Sequence, residues 1–219
     1  GGGGCGPARR PFSAVVGLGS IVPAPVHRQT ELPAEVCALD ASGGDSLVVA
    51  GIVEQAGSRI KRAAIDSGAF DTFHFPDGMI SDKLQENFGD EIEGSTGQHP
   101  GTDSPGAAKF GEIVGDAFDA TSPFTPDSYD AAALILLAMQ AAGSSDPAAY
   151  KDKVMDVANA PGEQIFPGEL AKALEIIAGG GDVDYVGATA VELIGAGESA
   201  GNYRQIVIEG GEIATAKYR

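Results

Sequence analysis

The sequence of 219 residues contains no tryptophan, only two cysteines and only three histidines. Cys5 and Cys37 do not have the spacing of a disulfide framework or a metal site, and Cys37 is expected to be a buried small hydrophobic residue. The histidines, His27, His74 and His99, are scattered along the chain, which gives a histidine-based metal site little support. We therefore predict no metal and no other cofactor.

Basic residues are also scarce: 14 of them stand against 31 acidic residues, for a formal net charge of −17. Binding to a phosphate backbone or an anionic membrane surface needs a basic face, so the charge argues against both partners. No apolar run approaches the roughly 20 residues of a transmembrane helix. With 43 % hydrophobic but only 6 % aromatic residues, the core must consist of Ala, Val, Ile and Leu, which is typical of an α/β protein.

Residues 1–30 differ from the rest of the chain. They are rich in glycine and proline and contain three arginines but no acidic residue. Their apolar stretch, residues 12–26, is interrupted by Gly17, Gly19, Pro23 and Pro25, whereas a secretory signal needs an unbroken apolar segment of about 7–15 residues. We therefore expect no signal peptide here, but a disordered leader of unclear origin.

Predicted helices and strands alternate in the first half of the remaining chain. There we predict helices at residues 32–42, 54–67, 81–87 and about 107–119, and strands at 45–51, 72–75 and 92–98. The second half has three successive helices at 129–142, 148–158 and 168–178, a loop at 161–167, and strands at 190–194, 203–209 and 212–214. The helix at 129–142 is apolar nearly all round, so we expect it to be buried on most sides.

Two predicted strands of one βαβ unit end in residues suited to a ligand. The first ends at Gly51, and the second leads into the turn Pro76-Asp-Gly78. Because ligands of open α/β sheets bind outside the carboxyl ends of the strands, Asp77 is placed to pair with a ligand's ammonium group. The plainer alternative is that Asp77 serves only the turn, for which Pro-Asp-Gly is a common composition.

Several segments, in order over about 180 residues, carry a family resemblance. They are Leu47-Val-Val-Ala-Gly51, Glu54-Gln-Ala-Gly57, Ser67-Gly-Ala-Phe-Asp71, Pro76-Asp-Gly-Met79, Ser128-Tyr-Asp-Ala-Ala132, Val157-Ala-Asn-Ala-Pro-Gly162, Leu174-Glu-Ile-Ile-Ala-Gly179 and Asp182-Val-Asp-Tyr185. The stretch from Leu32 to Ala214 resembles the C-terminal half of the type I periplasmic binding proteins, in the leucine/isoleucine/valine-binding branch that serves ABC transporters.

The resemblance implies an α/β fold of two lobes, each a three-layer αβα structure, with the first lobe incomplete in this chain. Residues 31–98 and 186–219 would belong to the second lobe, and residues 99–185 would be a helical return through the first. It also implies a periplasmic protein that closes about a hinge on a ligand between its lobes and delivers it to an ABC permease in the membrane. Half a cleft should bind weakly or not at all.

The resemblance also implies a set of ligand-binding residues. Asp77 would accept hydrogen bonds from the ligand ammonium, and Phe124 would line the pocket for the ligand side chain. The family often has an aromatic residue at the position of Ile52, so the smaller side chain here would enlarge or reshape the pocket. Gly51 would let the backbone approach the ligand closely. Phe124 could equally fill a hydrophobic gap, and Tyr129 could be a packing residue whose hydroxyl reaches the hinge.

The function that follows is capture of an amino acid, of the branched-chain type or a related small amphiphile, without chemical change. We expect no enzyme, because the sequence has no nucleophile elbow, no Walker A loop and no plausible His–carboxylate or Cys–His arrangement. The alternative is a ligand-sensing regulator or an α/β enzyme on the same scaffold, since a fold alone does not determine a function.

Overall fold

The structure is a computed structural model that describes residues 32–195 and 197–219. The predictions for residues 1–30 lie outside this range. By their contacts the described residues form two compact units: unit 1 contains those up to His99 together with Gln205–Lys217, and unit 2 contains those of Pro100–Arg204 and Tyr218–Arg219. Each helix in the described part of the chain is too short or too polar to span a bilayer.

The described elements are short, apart from one long helix in unit 2. The helices are α1 (Leu32–Asp40), α2 (Ser58–Ser67), α3 (Asp82–Phe88), α4 (Pro105–Val114), α5 (Thr125–Ala142), α6 (Pro147–Tyr150), α7 (Val154–Ala158) and α8 (Leu170–Ala178). The strands are β1 (Leu47–Val48), β2 (Phe73–Phe75), β3 (Thr96–Pro100), β4 (Glu163–Ile165), β5 (Val183–Tyr185), β6 (Leu193–Gly195), β7 (Glu198–Ser199), β8 (Tyr203–Glu209) and β9 (Glu212–Tyr218). An irregular turn spans Val53–Gly57, and 3-10 turns span Asp77–Met79, Gly89–Ile92 and Lys151–Lys153.

Unit 1 is built on a five-stranded sheet in the order β1-β2-β3-β8-β9. β1, β2 and β3 are parallel, with Leu47 opposite Phe73 and His74 opposite Thr96. β8 runs antiparallel to β3, since the Gly94 amide donates to the Ile208 carbonyl while the Gly101 amide donates to the Asn202 carbonyl. The carboxyl ends of β1 and β2 therefore lie on the same side of the sheet, which is called its carboxyl edge below.

The core of unit 1 comes from the strands and from the apolar side of the helices. Phe73, Phe75 and Ile206 are fully buried, as expected for the apolar runs of strands. The expectation of a core made only of Ala, Val, Ile and Leu is wrong here, because phenylalanines form a large part of it. α2 is amphipathic and ends where Gly68, at φ 66°, takes the left-handed conformation that stops a helix. β1 forms only two ladder residues where a strand over 45–51 was predicted, although the Val49 amide still bonds to the His74 carbonyl.

Unit 2 is mainly helical, with the parallel pair β4–β5 and the antiparallel pair β6–β7. α5 supplies its central core residues, Ala133, Leu134, Leu137 and Ala138. The expectation that this helix is buried on most sides is wrong for the described residues, because Ile135 and Leu136 are 40 % and 48 % exposed. Only one face of α5 packs against the core of unit 2.

Other differences from the sequence predictions are local. Residues 161–167 contain β4, which pairs with β5, because a partner strand supplies hydrogen bonds that local composition cannot reveal. The helix predicted at 148–158 is divided into α6 and α7 by a 3-10 turn. Residues 186–204 group by their contacts with unit 2, and Gln205–Lys217 with unit 1. The assignment of residues 186–219 to the second lobe stays a prediction.

Cys37 also differs from its prediction. It is half-buried, not buried, and its sulfur is in a disulfide. The prediction of a buried small hydrophobic residue is therefore wrong. Cys5 lies outside the described residues.

Candidate functional site

The carboxyl edge of the unit 1 sheet brings three of the predicted site residues together. Gly51 and Ile52 follow β1, and Asp77 begins the 3-10 turn after β2. The two segments touch, because a Cβ added at Gly78 would lie 2.6 Å from the Gly51 carbonyl oxygen. Only a glycine at position 78 allows this approach, which places a carboxylate next to the end of the neighbouring strand.

Asp77 is half-buried and uses one carboxylate oxygen locally. Its Oδ1 accepts a hydrogen bond of 2.7 Å from the Gly78 amide, and its main-chain carbonyl accepts one from the Ile80 amide. Among the described residues, no ion pair involves Asp77 and no hydrogen bond reaches its Oδ2. The carboxylate thus serves the turn with one oxygen, while the other has no donor among the described residues.

The packing behind this edge holds both segments in place. The Met79 side chain is completely buried, and a Cβ at Gly57 would collide with the Met79 sulfur and lie 2.9 Å from the Ile52 carbonyl oxygen. The irregular turn that contains Gly57 follows Ile52 directly, and within it Gln55 departs from helical backbone angles at φ −118° and ψ −129°. Ile52 itself is 49 % exposed, so its side chain is open to a ligand.

In unit 2, the other two predicted residues line one surface cavity of about 640 Å³. Its apolar wall consists of Phe110, Phe118, Pro123, Phe124 and Tyr129, and its polar wall of Asp119, Ser122, Thr125 and Ser128. Phe110 and Phe118 were not predicted. Phe110 lies in the middle of α4 and Phe118 in the loop after it, and nothing in their local pattern distinguishes them from core residues.

Phe124 has an unusual backbone at the start of α5. Its φ of 68° lies in the left-handed region, which costs a bulky residue on the order of 1–3 kcal/mol. The conformation is held by Ser128, whose amide and hydroxyl both donate to the Phe124 carbonyl at 2.9 and 2.7 Å. Phe124 is 49 % exposed and is not part of the buried core of unit 2.

Tyr129 has a packing role as well as a place in the cavity wall. Its ring lies 5.0 Å from that of Phe110, at a tilted angle. Its hydroxyl accepts a hydrogen bond of 3.1 Å from the Gly168 amide. Both contacts are within unit 2 and fix the orientation of the ring.

Asp130 is a buried carboxylate that the sequence analysis did not single out. Its Oδ1 accepts hydrogen bonds from the Tyr185 hydroxyl and the Ala188 amide, and its Oδ2 accepts them from the Thr189 amide and hydroxyl, all at 2.7–2.8 Å. Burial raises the pKa of Asp130 while these four bonds oppose the rise, and burial beside Asp130 raises the pKa of Tyr185. An acidic residue inside an apolar helix pattern was the available signal.

The role of Asp130 is structural, since its acceptor capacity is used by the turn at residues 185–189. Gly187 is required in that turn, because its φ is 61° and a Cβ there would lie 2.5 Å from the Asp130 Oδ1. The described residues contain no group of three or more His, Cys, Asp or Glu side chains arranged to hold a metal ion.

Comparison with known proteins gives no match to a family model. Among solved structures, the periplasmic binding protein type 1 from Bordetella pertussis aligns with 83 % of this chain and 48 % of its own, with a TM-score of 0.59 at 15 % identity. The fold is that of the type I periplasmic binding proteins. The predicted α/β fold and the resemblance to this family's fold are thus confirmed.

Two further structures share this periplasmic-binding-protein fold. A leucine-binding protein from Thermotoga maritima matches over 87 % of this chain and 65 % of its own, with a TM-score of 0.50 and 15 % identity. A solute-binding protein of an ABC transporter from R. palustris, in complex with benzoate, matches over 86 % and 46 %, with a TM-score of 0.54 and 13 % identity. The chain spans between about half and two thirds of the length of these structures.

One curated relative is similar in sequence. The substrate-binding protein BasB of a chemotactic signal transduction system in Halobacterium salinarum is 38 % identical over 88 residues, which cover 39 % of this chain and 21 % of BasB. This relative and the solved structures are described as binding proteins.

Proposed function

We propose that this chain is part of a periplasmic solute-binding protein that captures an amino acid, or a similar small amphiphile, for an ABC importer. The observation that carries the proposal is the Asp77 carboxylate at the shared carboxyl edge of β1 and β2, with one oxygen engaged in the turn and the other without a donor from the described residues. The proposal is supported by the shared fold of a leucine-binding protein and of a solute-binding protein of an ABC transporter.

The chemistry of this edge suits an ammonium group. The Asp77 carboxylate supplies a negative charge, and the Gly51 carbonyl, which closely approaches Gly78, supplies a second acceptor beside it. A hydrogen bond from a charged donor contributes roughly 1.5–3 kcal/mol, which is a useful part of the free energy of binding for a small solute. Capture of this kind needs no bond to be made or broken, so the proposed protein is not an enzyme.

The partners and location of the protein are part of the proposal. In an importer, the partner would be the permease in the cytoplasmic membrane. The binding protein itself would lie in the periplasm, on the outer side of that membrane. The similarity to BasB favours a second candidate, in which the bound solute is presented to a chemotactic signal transducer instead. Both candidates use the same capture step, and pull-down with a permease or with a transducer, in the presence of the solute, separates them.

The capture step is tested by nuclear magnetic resonance on the ¹⁵N-labelled chain, titrated with amino acids. We expect L-amino acids to shift the amide signals of Gly51, Ile52 and Gly78. Asp77→Asn removes the charge and should weaken binding about tenfold or more, the equivalent of roughly 1.5–3 kcal/mol. The matched control is Asp45→Asn, an exposed aspartate just before the amino end of β1, at the opposite edge of the same sheet.

Two results would contradict the proposal. One is an Asp77→Asn variant that binds amino acids as tightly as the parent chain. The other is an equal loss of binding in Asp45→Asn, which would mean that the net charge, and not a site at the sheet edge, controls the interaction.

A further inference from the structure

We propose that a cavity along α2 in unit 1 binds a small monocarboxylate with an apolar body, such as a short acyl carboxylate. The inference goes beyond the proposed function and does not rest on it. The cavity has a volume of about 750 Å³, and all the described residues that line it lie in unit 1. One face of α2 forms its long wall, because Arg59, Arg62, Ala63 and Asp66 are three or four residues apart on the helix.

The cavity offers a positive charge that the described residues leave uncompensated. In a chain of 14 basic and 31 acidic residues, the exposed side chain of Arg59 takes part in no ion pair or hydrogen bond within the described part of the chain. A guanidinium can donate two parallel hydrogen bonds to one carboxylate. Asn87 lines the same cavity, and its carboxamide also has no hydrogen-bond partner among the described residues. A carboxylate would therefore meet one free cation and one free neutral donor.

The second arginine of the cavity is already paired. The Nη1 and Nη2 of Arg62 donate to the two carboxylate oxygens of Glu91 at 2.8 and 2.9 Å, and its Nη1 lies 3.5 Å from the Asp66 Oδ1. The charge of Arg62 is thus compensated by its own chain. Because only the Arg59 guanidinium is free, the ligand that matches the cavity carries one negative charge, unlike a phosphate ester or a dicarboxylate.

The other walls of the cavity suit an apolar group. Leu32 and Pro33 line it at the start of α1, and Phe88 lines it at the end of α3, opposite the Ala63 methyl group of α2. The Phe88 ring is held in place by the Arg62 guanidinium, whose central carbon lies 5.0 Å from the centre of the ring. Burial of an apolar chain against these side chains would add to the contact made by the carboxylate.

The two serines that line the cavity do not oppose an apolar ligand. The Ser58 hydroxyl donates to the Val53 carbonyl, and the Ser67 hydroxyl donates to the Ala64 carbonyl at 3.0 Å. Both hydroxyl groups keep these partners when water leaves the cavity, so an apolar chain does not leave them unsatisfied.

The test is a titration of the ¹⁵N-labelled full chain with sodium hexanoate, 1-hexanol, sodium acetate and hexylammonium chloride. Hexanoate combines the charge with an apolar body, whereas 1-hexanol lacks the charge, acetate lacks the apolar chain, and hexylammonium reverses the charge. We expect hexanoate to shift the amide signals of Ala63, Ser67 and Asn87. The dissociation constants of 1-hexanol and acetate should be at least threefold higher, and hexylammonium should leave these signals in place.

Two variants of the cavity should act in opposite directions. Arg59→Gln removes the free charge and should raise the dissociation constant for hexanoate about threefold to tenfold. Asp66→Asn removes a carboxylate that repels the ligand and should lower the dissociation constant about twofold. The matched control is Lys83→Gln, which removes a positive charge from an exposed residue of α3 that does not line the cavity, and we expect less than a twofold change.

Four outcomes would overturn the inference: cavity signals that do not move with hexanoate, 1-hexanol that binds there as tightly as hexanoate, an Arg59→Gln variant that binds hexanoate normally, or an Asp66→Asn variant that binds it more weakly. Because hexanoate has no ammonium group, it should leave the signals of Gly51 and Gly78 in place. If amino acids shift those two signals and hexanoate does not affect the cavity, only the inference fails. If hexanoate shifts the cavity signals and no amino acid affects the Asp77 edge, only the proposed function fails.

Discussion

Lys61 is a buried amine in unit 1 whose protonation affects the free energy of unfolding. The residue is completely buried on α2, and its Nζ has no hydrogen-bond partner among the described residues. The amine lies 4.0 Å from the centre of the Phe88 ring and 5.1 Å from that of Phe75. Burial, with a smaller contribution from the neighbouring charge of Arg62, lowers the pKa of Lys61 to about 7.

We expect Lys61→Met to increase the free energy of unfolding by about 1–4 kcal/mol at pH 6, because it replaces a buried charge by an apolar side chain of similar length. In the parent chain, the folded state binds fewer protons than the unfolded state between pH 7 and the ordinary lysine value of 10.5. Its stability should therefore rise with pH above 7, and the advantage of the variant should shrink by pH 9.

The measurement is urea unfolding of both chains at pH 6, 7.5 and 9. Lys83→Met is the control, because Lys83 is exposed and its one ion pair among the described residues is with Glu86. Its replacement should therefore change the stability by less than about 0.5 kcal/mol. A Lys61→Met variant with unchanged stability at every pH would show that the amine reaches water in solution.

At the scale of the element, a single carboxylate ties α5 to the turn after β5. Asp130 satisfies four donors from Tyr185, Ala188 and Thr189 in that turn. The Thr189 carbonyl in turn accepts a bond from the Asn202 side chain, just before β8. Hydrogen bonds thus join α5 to the turn after β5, and that turn to the segment just before β8. Loss of the Asp130 carboxylate would leave several donors in the turn unsatisfied.

We expect Asp130→Asn to lower the free energy of unfolding by about 2–4 kcal/mol. The amide nitrogen cannot accept, so it would face donors that the carboxylate oxygen now satisfies. Chemical denaturation measures the loss. Asp116→Asn, at an exposed aspartate after α4, should stay within about 0.5 kcal/mol of the parent chain. Equal stability of the two variants would exclude a structural role for Asp130.

The irregular turn after β1 depends on a close contact between Gly57 and the Met79 side chain. We expect Gly57→Ala to destabilise the chain by about 1–3 kcal/mol, because the added methyl group collides with the Met79 sulfur and with the Ile52 carbonyl. The amide signals of Ile52 and Gly78 should also shift. Gly44→Ala is the control, since its Cβ would only meet the Ser46 carbonyl at 3.8 Å, an ordinary contact. A Gly57→Ala variant as stable as the parent would show that Met79 repacks freely.

At the scale of the whole molecule, two units share one chain that passes between them after His99, Arg204 and Lys217. The fold is shared with periplasmic binding proteins at only 13–15 % identity. At that distance the shared feature is the pattern of apolar strands and amphipathic helices, which many sequences can supply. A shared fold at this distance does not determine a ligand, because recognition depends on individual side chains that the pattern leaves open.

The sequence alone determined the class of fold and most of its elements. Periodicity and glycine stops located α2, β2, α5 and β8 to within a few residues, because local spacing decides which faces are apolar. The order of the strand ends also predicted that Gly51 and Asp77 share one edge, since parallel strands bring their carboxyl ends together.

Only the tertiary structure decided which side chains meet. The collision that makes Gly57 necessary, the four donors around Asp130 and the rings of Phe110 and Phe118 beside Phe124 all join residues far apart in the chain or in separate elements. Periodicity states that a residue is buried or exposed, but not against what. The contacts follow from the packing of whole elements, and local sequence carries no record of that packing.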